Sequence, residues 1–166
     1  MDYFEVLEKR YSCRKFTDQE VEDDKINKIL EAGRLSPTAV NFQPERIYVC
    51  KSKEILEKLS SACKYTFNAK LIFVIAYDSN VSWKRRSDGT EFGPVDAAIV
   101  TTNMMNAATA LGLGSTFVCS MHEDKVEEIL GLPNNIKVLS LLPVGYPAEV
   151  KAHGARKNIE EIVEYR

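Results

Sequence analysis

Leu71-Ile72-Phe73-Val74-Ile75-Ala76-Tyr77 is apolar at every position. A half-exposed strand alternates apolar and polar side chains, so an unbroken apolar run implies a strand covered on both faces. The run is also far shorter than the roughly 20 residues needed to span a bilayer. Reading outward from it, Ile47–Cys50 is predicted as a strand and Ser52 as the N-cap of a helix reaching about Cys63. Downstream, Pro94 and Asp96 begin a helix rich in Ala and Met that ends at Gly112. Ser115–Cys119 reads as a strand, Glu123–Leu130 as a helix closed by Gly131, and Val138–Tyr146 as a last strand. Strands alternating with helices predict three layers, a sheet between two helical faces.

Upstream, Tyr3, Phe4, Val6 and Leu7 recur at helical spacing, so residues 2–9 read as a short amphipathic helix. Thr17-Asp18-Gln19-Glu20 has the form of a capping box opening a second helix, with Val21, Ile26, Ile29 and Leu30 on one face and Gly33 as its C′ residue. Two helices before any strand fit a doubly wound parallel sheet poorly. Residues 78–93 form a long polar connection, and beyond Pro147 the chain is polar, then weakly amphipathic at Ile159, Ile162 and Val163.

The 166 residues fit one domain, 1–166, with no repeat or linker. A net charge of −2 supplies no field that would draw nucleic acid or an anionic membrane. Cys13, Cys50, Cys63 and Cys119 have no metal-ligand or redox-pair spacing, and His122 and His153 lie in no metal or triad pattern. The start of the chain has acid where a signal peptide needs base, so a reducing cytoplasm with free thiols is the expectation.

Two polar stretches could carry chemistry. Arg10-Tyr11-Ser12-Cys13-Arg14-Lys15-Phe16, if extended, places residues 10, 12 and 14 on one face. Two guanidiniums and a hydroxyl on one face suit a phosphate, although a solvated basic loop paired with surface acids has the same composition. Ser36-Pro37-Thr38-Ala39-Val40-Asn41-Phe42-Gln43-Pro44 presents two amides, which match the donors and acceptors of a flat heterocycle or simply cap a turn.

Taken in order, Arg-x-Ser-x-Arg-x-Phe and Ser-Pro-Thr-Ala-x-Asn-x-Gln-Pro resemble the opening of the nitroreductase family of FMN-dependent, NAD(P)H-using reductases. The similarity continues through Asp96-Ala97-Ala98, Ala110-Leu111-Gly112-Leu113-Gly114-Ser115, Leu130-Gly131-Leu132-Pro133 and Val144-Gly145-Tyr146-Pro147. It ends in Arg156-Lys157-Asn158-Ile159-Glu160-Glu161-Ile162-Val163. The resemblance implies an α+β, three-layer α-β-α sandwich around a mixed, largely antiparallel sheet, with subunits intertwined in a homodimer and FMN at the subunit interface. It also implies hydride transfer from NADH or NADPH onto flavin N5, then onward to a nitroaromatic, quinone or similar small acceptor by a ping-pong mechanism. Alternatives are a flavin-binding module without turnover, or a fold relative doing reductive dehalogenation or flavin cleavage.

By the same resemblance, Arg10 and Ser12 match residues holding the FMN phosphate and ribityl chain, and Arg156 a second phosphate arginine. Arg14 matches the cation reaching the pyrimidine ring, and Asn68 an amide on that ring. Pro37, Thr38, Ala39 and Asn41 fall where the partner subunit lines the flavin; Cys119 and Ser120 fall beside N5. Tyr11, Gln43 and Val118 are counted with the same site. Many relatives carry Glu or Gly where Cys119 and Ser120 stand, so only a backbone role transfers there; Cys119 reads either as a redox thiol or as an inert buried strand cysteine. Trp83-Lys84-Arg85-Arg86 reads either as a lid with a cation near the NAD(P)H phosphates or as a solvated loop. Gly114 is no dinucleotide fingerprint, because it ends a helix rather than opening one.

Overall fold

A computed structural model describes residues 1–166. In chain order the elements are α1 (Tyr3–Lys9), α2 (Asp23–Arg34), β1 (Glu45–Cys50), α3 (Lys53–Ala62), β2 (Leu71–Asp78), α4 (Gly93–Ala110), β3 (Gly114–Ser115), α5 (Glu123–Ile129) and β4 (Ile136–Gly145). Short 3-10 turns occupy Ala39–Asn41 and Ile159–Glu161.

The apolar run becomes β2, an inner strand of a four-stranded sheet ordered β1-β2-β4-β3. Its side chains alternate between two cores, as the period of two requires. Leu71, Phe73, Ile75 and Tyr77 meet Ile26 and Ile29 of α2 and Ala97, Val100 and Met104 of α4. Ile72, Val74 and Ala76 meet Leu59 and Ala62 of α3 and Val126 of α5. The helices therefore pair off by sheet face, α2 with α4 and α3 with α5. All three ladders are antiparallel, and the one parallel pairing is a single bridge between Ser12 and Ser115. This is the expected three-layer, largely antiparallel sandwich.

β4 departs from strict alternation. Ile75 pairs with Ser140 and Ala76 with Val138, leaving Leu139 as an extra residue. This bulge turns both Leu139 and Ser140 toward α4, where Thr101 shares a 2.9 Å hydrogen bond with the Ser140 hydroxyl.

Several local expectations are corrected. No capping box opens α2: it starts at Asp23 with Glu22 as N-cap, and Thr17 Oγ1 accepts from the Gln19 N–H in a turn. Gly33 lies inside α2 rather than at C′, because a Cβ there would stand 3.0 Å from Ile47 and 3.1 Å from Met104; it is a packing glycine. The strand expected at Ser115–Cys119 shrinks to Gly114–Ser115 plus one bridge from Val118 to Leu141. Of the apolar residues in α1 only Val6 is buried, and Tyr3, Phe4 and Leu7 face outward. The 78–93 connection is ordered as a hairpin, with Lys84 bridged to Glu91.

If β2 feeds both cores, Phe73→Ala should cost about 3–5 kcal/mol, whereas Val49→Ala on the exposed edge strand should cost no more than about 0.5 kcal/mol. Thermal or denaturant unfolding of the two variants checks this, and equal losses would contradict the layer assignment.

Candidate functional site

Segment 10–16 leaves α1 with Arg10 in extended conformation and then runs beside β3. The Cys13 N–H donates to the Ser115 carbonyl at 2.9 Å, and the Thr116 hydroxyl donates to the Cys13 carbonyl. Cys13 is buried against Gly114, where a Cβ would sit 2.6 Å from its sulfur. Only glycine permits that approach, which is the use of Gly114 in Leu-Gly-Leu-Gly. Farther on, Phe16 bridges Pro147 and its ring lies over Gly145. With Cys13 turned inward, Ser12 is half-buried and Arg14 is exposed.

Of the three cations in this segment only Lys15 has a carboxylate partner, Glu149 at 3.4 Å. Arg34, Arg46, Arg85 and Arg166 each reach a carboxylate. Arg10, Arg14, Arg86 and Arg156 reach none, in a chain with 24 acidic residues. The paired basic loop is thus not what forms. Tyr11 differs from its neighbours: its hydroxyl donates to the Glu149 carbonyl at 2.6 Å, and burial first, then Cys13, pushes its pKa up to about 12. It stays neutral and ties the segment to the chain beyond β4.

Two further stretches gather near Arg14. The Lys70 ammonium lies 3.5 Å from Asp18, which brings the start of β2 beside the end of segment 10–18. Asn68 sits there, exposed, at the mouth of a cavity of about 780 Å³ also lined by Lys51, Leu56, Lys70 and Ile72. The Cys63 thiol donates to the Ser120 carbonyl at 3.4 Å, and the His122 N–H donates to the Ala62 carbonyl. The α3/α5 core anchors all three stretches at once, through Phe16, Tyr65, Phe67, Val118 and Met121. Arg14, Asn68, Cys119 and Ser120 each lie within two residues of one of these anchors, so one core rim holds them.

Cys119 is exposed rather than buried in a strand. Desolvation of its sulfur, then Glu123, pushes its pKa up, which keeps it a thiol and disfavours nucleophilic or redox chemistry.

Loop 36–44 lies elsewhere. The Ala39 N–H donates to Asp96 Oδ1 at 2.8 Å, and Asn103 donates to the Ser36 hydroxyl at 2.8 Å, fixing the loop along α4 from its first turn to just past its midpoint. Inside it, Thr38 Oγ1 accepts from the Gln43 N–H, and Gln43 donates to the Asn41 carbonyl. Pro37, Val40, Asn41, Phe42 and Gln43 are exposed, and Thr38 and Ala39 half-buried. The chain's non-glycine residues with left-handed backbone are Val40, Asn41, Gln43, Phe67 and Asn68, all in this loop or beside Asn68. Such conformations cost of order 1–3 kcal/mol each and concentrate at ligand sites.

Segment 10–14 touches the strand after the C-terminus of α4, whereas loop 36–44 is tied near its N-terminus. Fourteen residues of helix, about 21 Å, lie between Asp96, which holds Ala39, and Ala110 at the end of α4. Arg156 is not brought to Arg10: it lies exposed on the tail and donates only to the Gly154 and Ala155 carbonyls. Sequence reasoning missed Asp96 as the holder of loop 36–44, having read it as the start of a helix within Asp96-Ala97-Ala98, and missed Lys70 beside Asp18.

The profile of the nitroreductase family matches residues 7–70 and 62–146. A nitroreductase family protein from Clostridium difficile 630 superposes with a TM-score of 0.94 at 36% identity, covering 99% of this chain and 98% of that one. An FMN-dependent nitroreductase from Clostridium difficile R20291 superposes at 0.84 and 28% identity, covering 96% of each. A putative NADH dehydrogenase/NAD(P)H nitroreductase of Methanothermobacter thermautotrophicus is 33% identical over 156 residues, 90% of this chain and 79% of its own. With the fold, the order of the motifs and the matched span all in agreement, this chain belongs to the nitroreductase family.

Proposed function

We propose that the protein is an FMN-dependent NAD(P)H oxidoreductase whose flavin sites are each built by two protomers. The observation that carries this reading is the coincidence of chemistry and position. Three of the four arginines without a carboxylate are Arg10, Arg14 and Arg156, and every left-handed non-glycine residue lies in the two loops that would meet a flavin ring.

The residues present fit such a group. Arg10 and the free Ser12 hydroxyl suit a phosphate, which Arg forks bind bidentately. Arg14 and Asn68, on the same rim, offer a cation and an amide to a pyrimidine edge. The Cys119 and Ser120 backbone lies along that rim, beside where the ring's reactive centre would fall. FMN, when bound, supplies hydride acceptance from a nicotinamide and its return to a nitroaromatic or quinone acceptor. The chain's own contribution is to hold the phosphate, orient the ring and set a positive charge at its pyrimidine end, where Arg14 would favour the reduced form. Neither Cys119, held as a thiol, nor Tyr11, held neutral by its bond to Glu149, is needed as a proton donor. Both substrates would use the same flavin face in turn, the basis of ping-pong kinetics.

The second protomer follows from the separation along α4. A flavin held along Arg10–Arg14 would lie beyond the C-terminus of α4, about 21 Å of helix from Asp96 and Ala39, where a two-fold partner could deliver its own loop 36–44. The outward stripe of α4 supports such a partner. Val95, Ala98, Ile99, Thr102, Asn106 and Thr109 face away from the sheet and carry no charge, and Asn106 Oδ1 is buried without a hydrogen-bond donor. Tyr3, Phe4 and Leu7 of α1 and Ile159 and Ile162 of the tail add exposed apolar surface.

Arg10→Ala should lower FMN affinity by about 10- to 150-fold, the loss of a charge-assisted hydrogen bond worth about 1.5–3 kcal/mol. Fluorescence titration with FMN measures this, and an unchanged affinity would remove the phosphate assignment. Sedimentation should find flavin only on the dimer; a flavin-loaded monomer would refute the shared site.

A further inference from the structure

Residues 82–92 form a hairpin stiffened at several points. The Phe92 N–H donates to the Trp83 carbonyl and the Arg85 N–H to the Thr90 carbonyl, both at 2.9 Å. The Trp83 and Phe92 rings meet edge to face with centroids 4.9 Å apart. Arg85 stacks on Phe92 at 5.7 Å and donates through Nε to Asp88 at 2.9 Å. Asp88 is held well below the usual carboxylate range by that guanidinium. Glu91, the hairpin's other acid, accepts from the Ser82 hydroxyl.

Both acids are thus committed within the hairpin, while Lys84 and Arg86 at its exposed end have no carboxylate partner. A stiff hairpin displaying two uncompensated cations is arranged for an anion, because little backbone freedom remains to be lost on binding. Its place in the fold says which anion. Phe92 is the N-cap of α4, and Asp96, four residues on, anchors loop 36–44. The hairpin therefore travels with that loop to the partner's flavin.

We propose that this hairpin is the nicotinamide-cofactor selector, with Arg86 and Lys84 recognising the 2′-phosphate of NADPH from across the subunit interface. The inference rests on the two-protomer flavin site proposed above. A nicotinamide stacked on the flavin leaves its adenosine half to run outward, and the 2′-phosphate alone distinguishes NADPH from NADH. Arg forks match phosphate oxygens, and Lys adds a point charge.

Calorimetric titration of the FMN-loaded dimer with 2′,5′-ADP and with 5′-AMP tests this without turnover. The expected result is about tenfold or tighter binding of 2′,5′-ADP, weakening as salt is raised. That preference should vanish in Arg86→Ala/Lys84→Ala while 5′-AMP affinity stays put, and Arg86→Lys should keep part of it. The fluorescence of Trp83, the chain's single tryptophan, should respond to 2′,5′-ADP and so place the ligand at the hairpin. In turnover, KM for NADPH should rise about tenfold in the double variant, with KM for NADH and kcat unchanged. Equal wild-type affinities for the two nucleotides, or a preference that survives the double substitution, would overturn the proposal while leaving the flavin site standing. A protein that takes up no FMN would overturn the site itself, and the selector with it.

Discussion

Seven consecutive apolar side chains on one strand cannot share a single core, because successive Cβ atoms point to opposite faces. β2 therefore demands cover on both sides, and the rest of the chain answers that demand: α2 and α4 bury Phe73 and Ile75, while α3 and α5 bury Ile72 and Val74. This constraint also locates the chemistry. The α3/α5 core is edged by half-buried Phe16, Tyr65, Phe67 and Met121, and Arg14, Asn68, Cys119 and Ser120 each stand within two residues of one of them. The α2/α4 core instead carries loop 36–44 at its far end, through Asp96. In the function proposed above, these two cores would carry the two walls of a flavin site.

Small residues and single polar contacts turn those half-sites into fixed surfaces. Gly114 lets segment 10–16 lie against β3 closely enough for Cys13 to be buried, which leaves Ser12 and Arg14 on the outer side. Asp96 gives up a carboxylate oxygen to the Ala39 N–H and keeps its other oxygen buried without a partner. An acid at the first turn of a helix is stabilised by the exposed N–H groups there, and here it also holds left-handed Val40 and Asn41 in place.

Much of this was legible in the residues. The doubly covered strand, the Ser52 cap, the end of α5 at Gly131 and the layer order all follow from local period and capping chemistry. The misread points share a physical cause, in that tertiary contacts overrode a local signal. Gly33 has the look of a helix terminator, but its missing side chain makes room for Ile47 and Met104. Thr17 to Glu20 spell a capping box, yet Phe16 bridging Pro147 and Thr17 donating to Tyr146 hold that stretch along the sheet edge, and α2 waits until Asp23. For the site, charge spacing at Arg10, Ser12 and Arg14 taken alone favoured a paired surface loop. What separates the readings is that neither Arg10 nor Arg14 makes an ion pair, whereas Lys15 between Arg14 and Phe16 pairs with Glu149, a fact of three-dimensional placement. Likewise no periodicity announces that Phe16 and Phe67 pack on the same core while loop 36–44 is tied to α4.

The central claim is that the Arg10–Arg14 wall and the 36–44 loop of one flavin site belong to different protomers. Mixed dimers test it most directly, formed from one chain carrying Arg10→Ala and Arg14→Ala and another with Asn41→Ala and Gln43→Ala in the loop. Each homodimer should have both sites impaired. The account predicts that the purified heterodimer binds one FMN per dimer with wild-type affinity, because one site then receives both intact walls. A heterodimer with no site of wild-type affinity would contradict it, showing that both walls of each site come from a single chain.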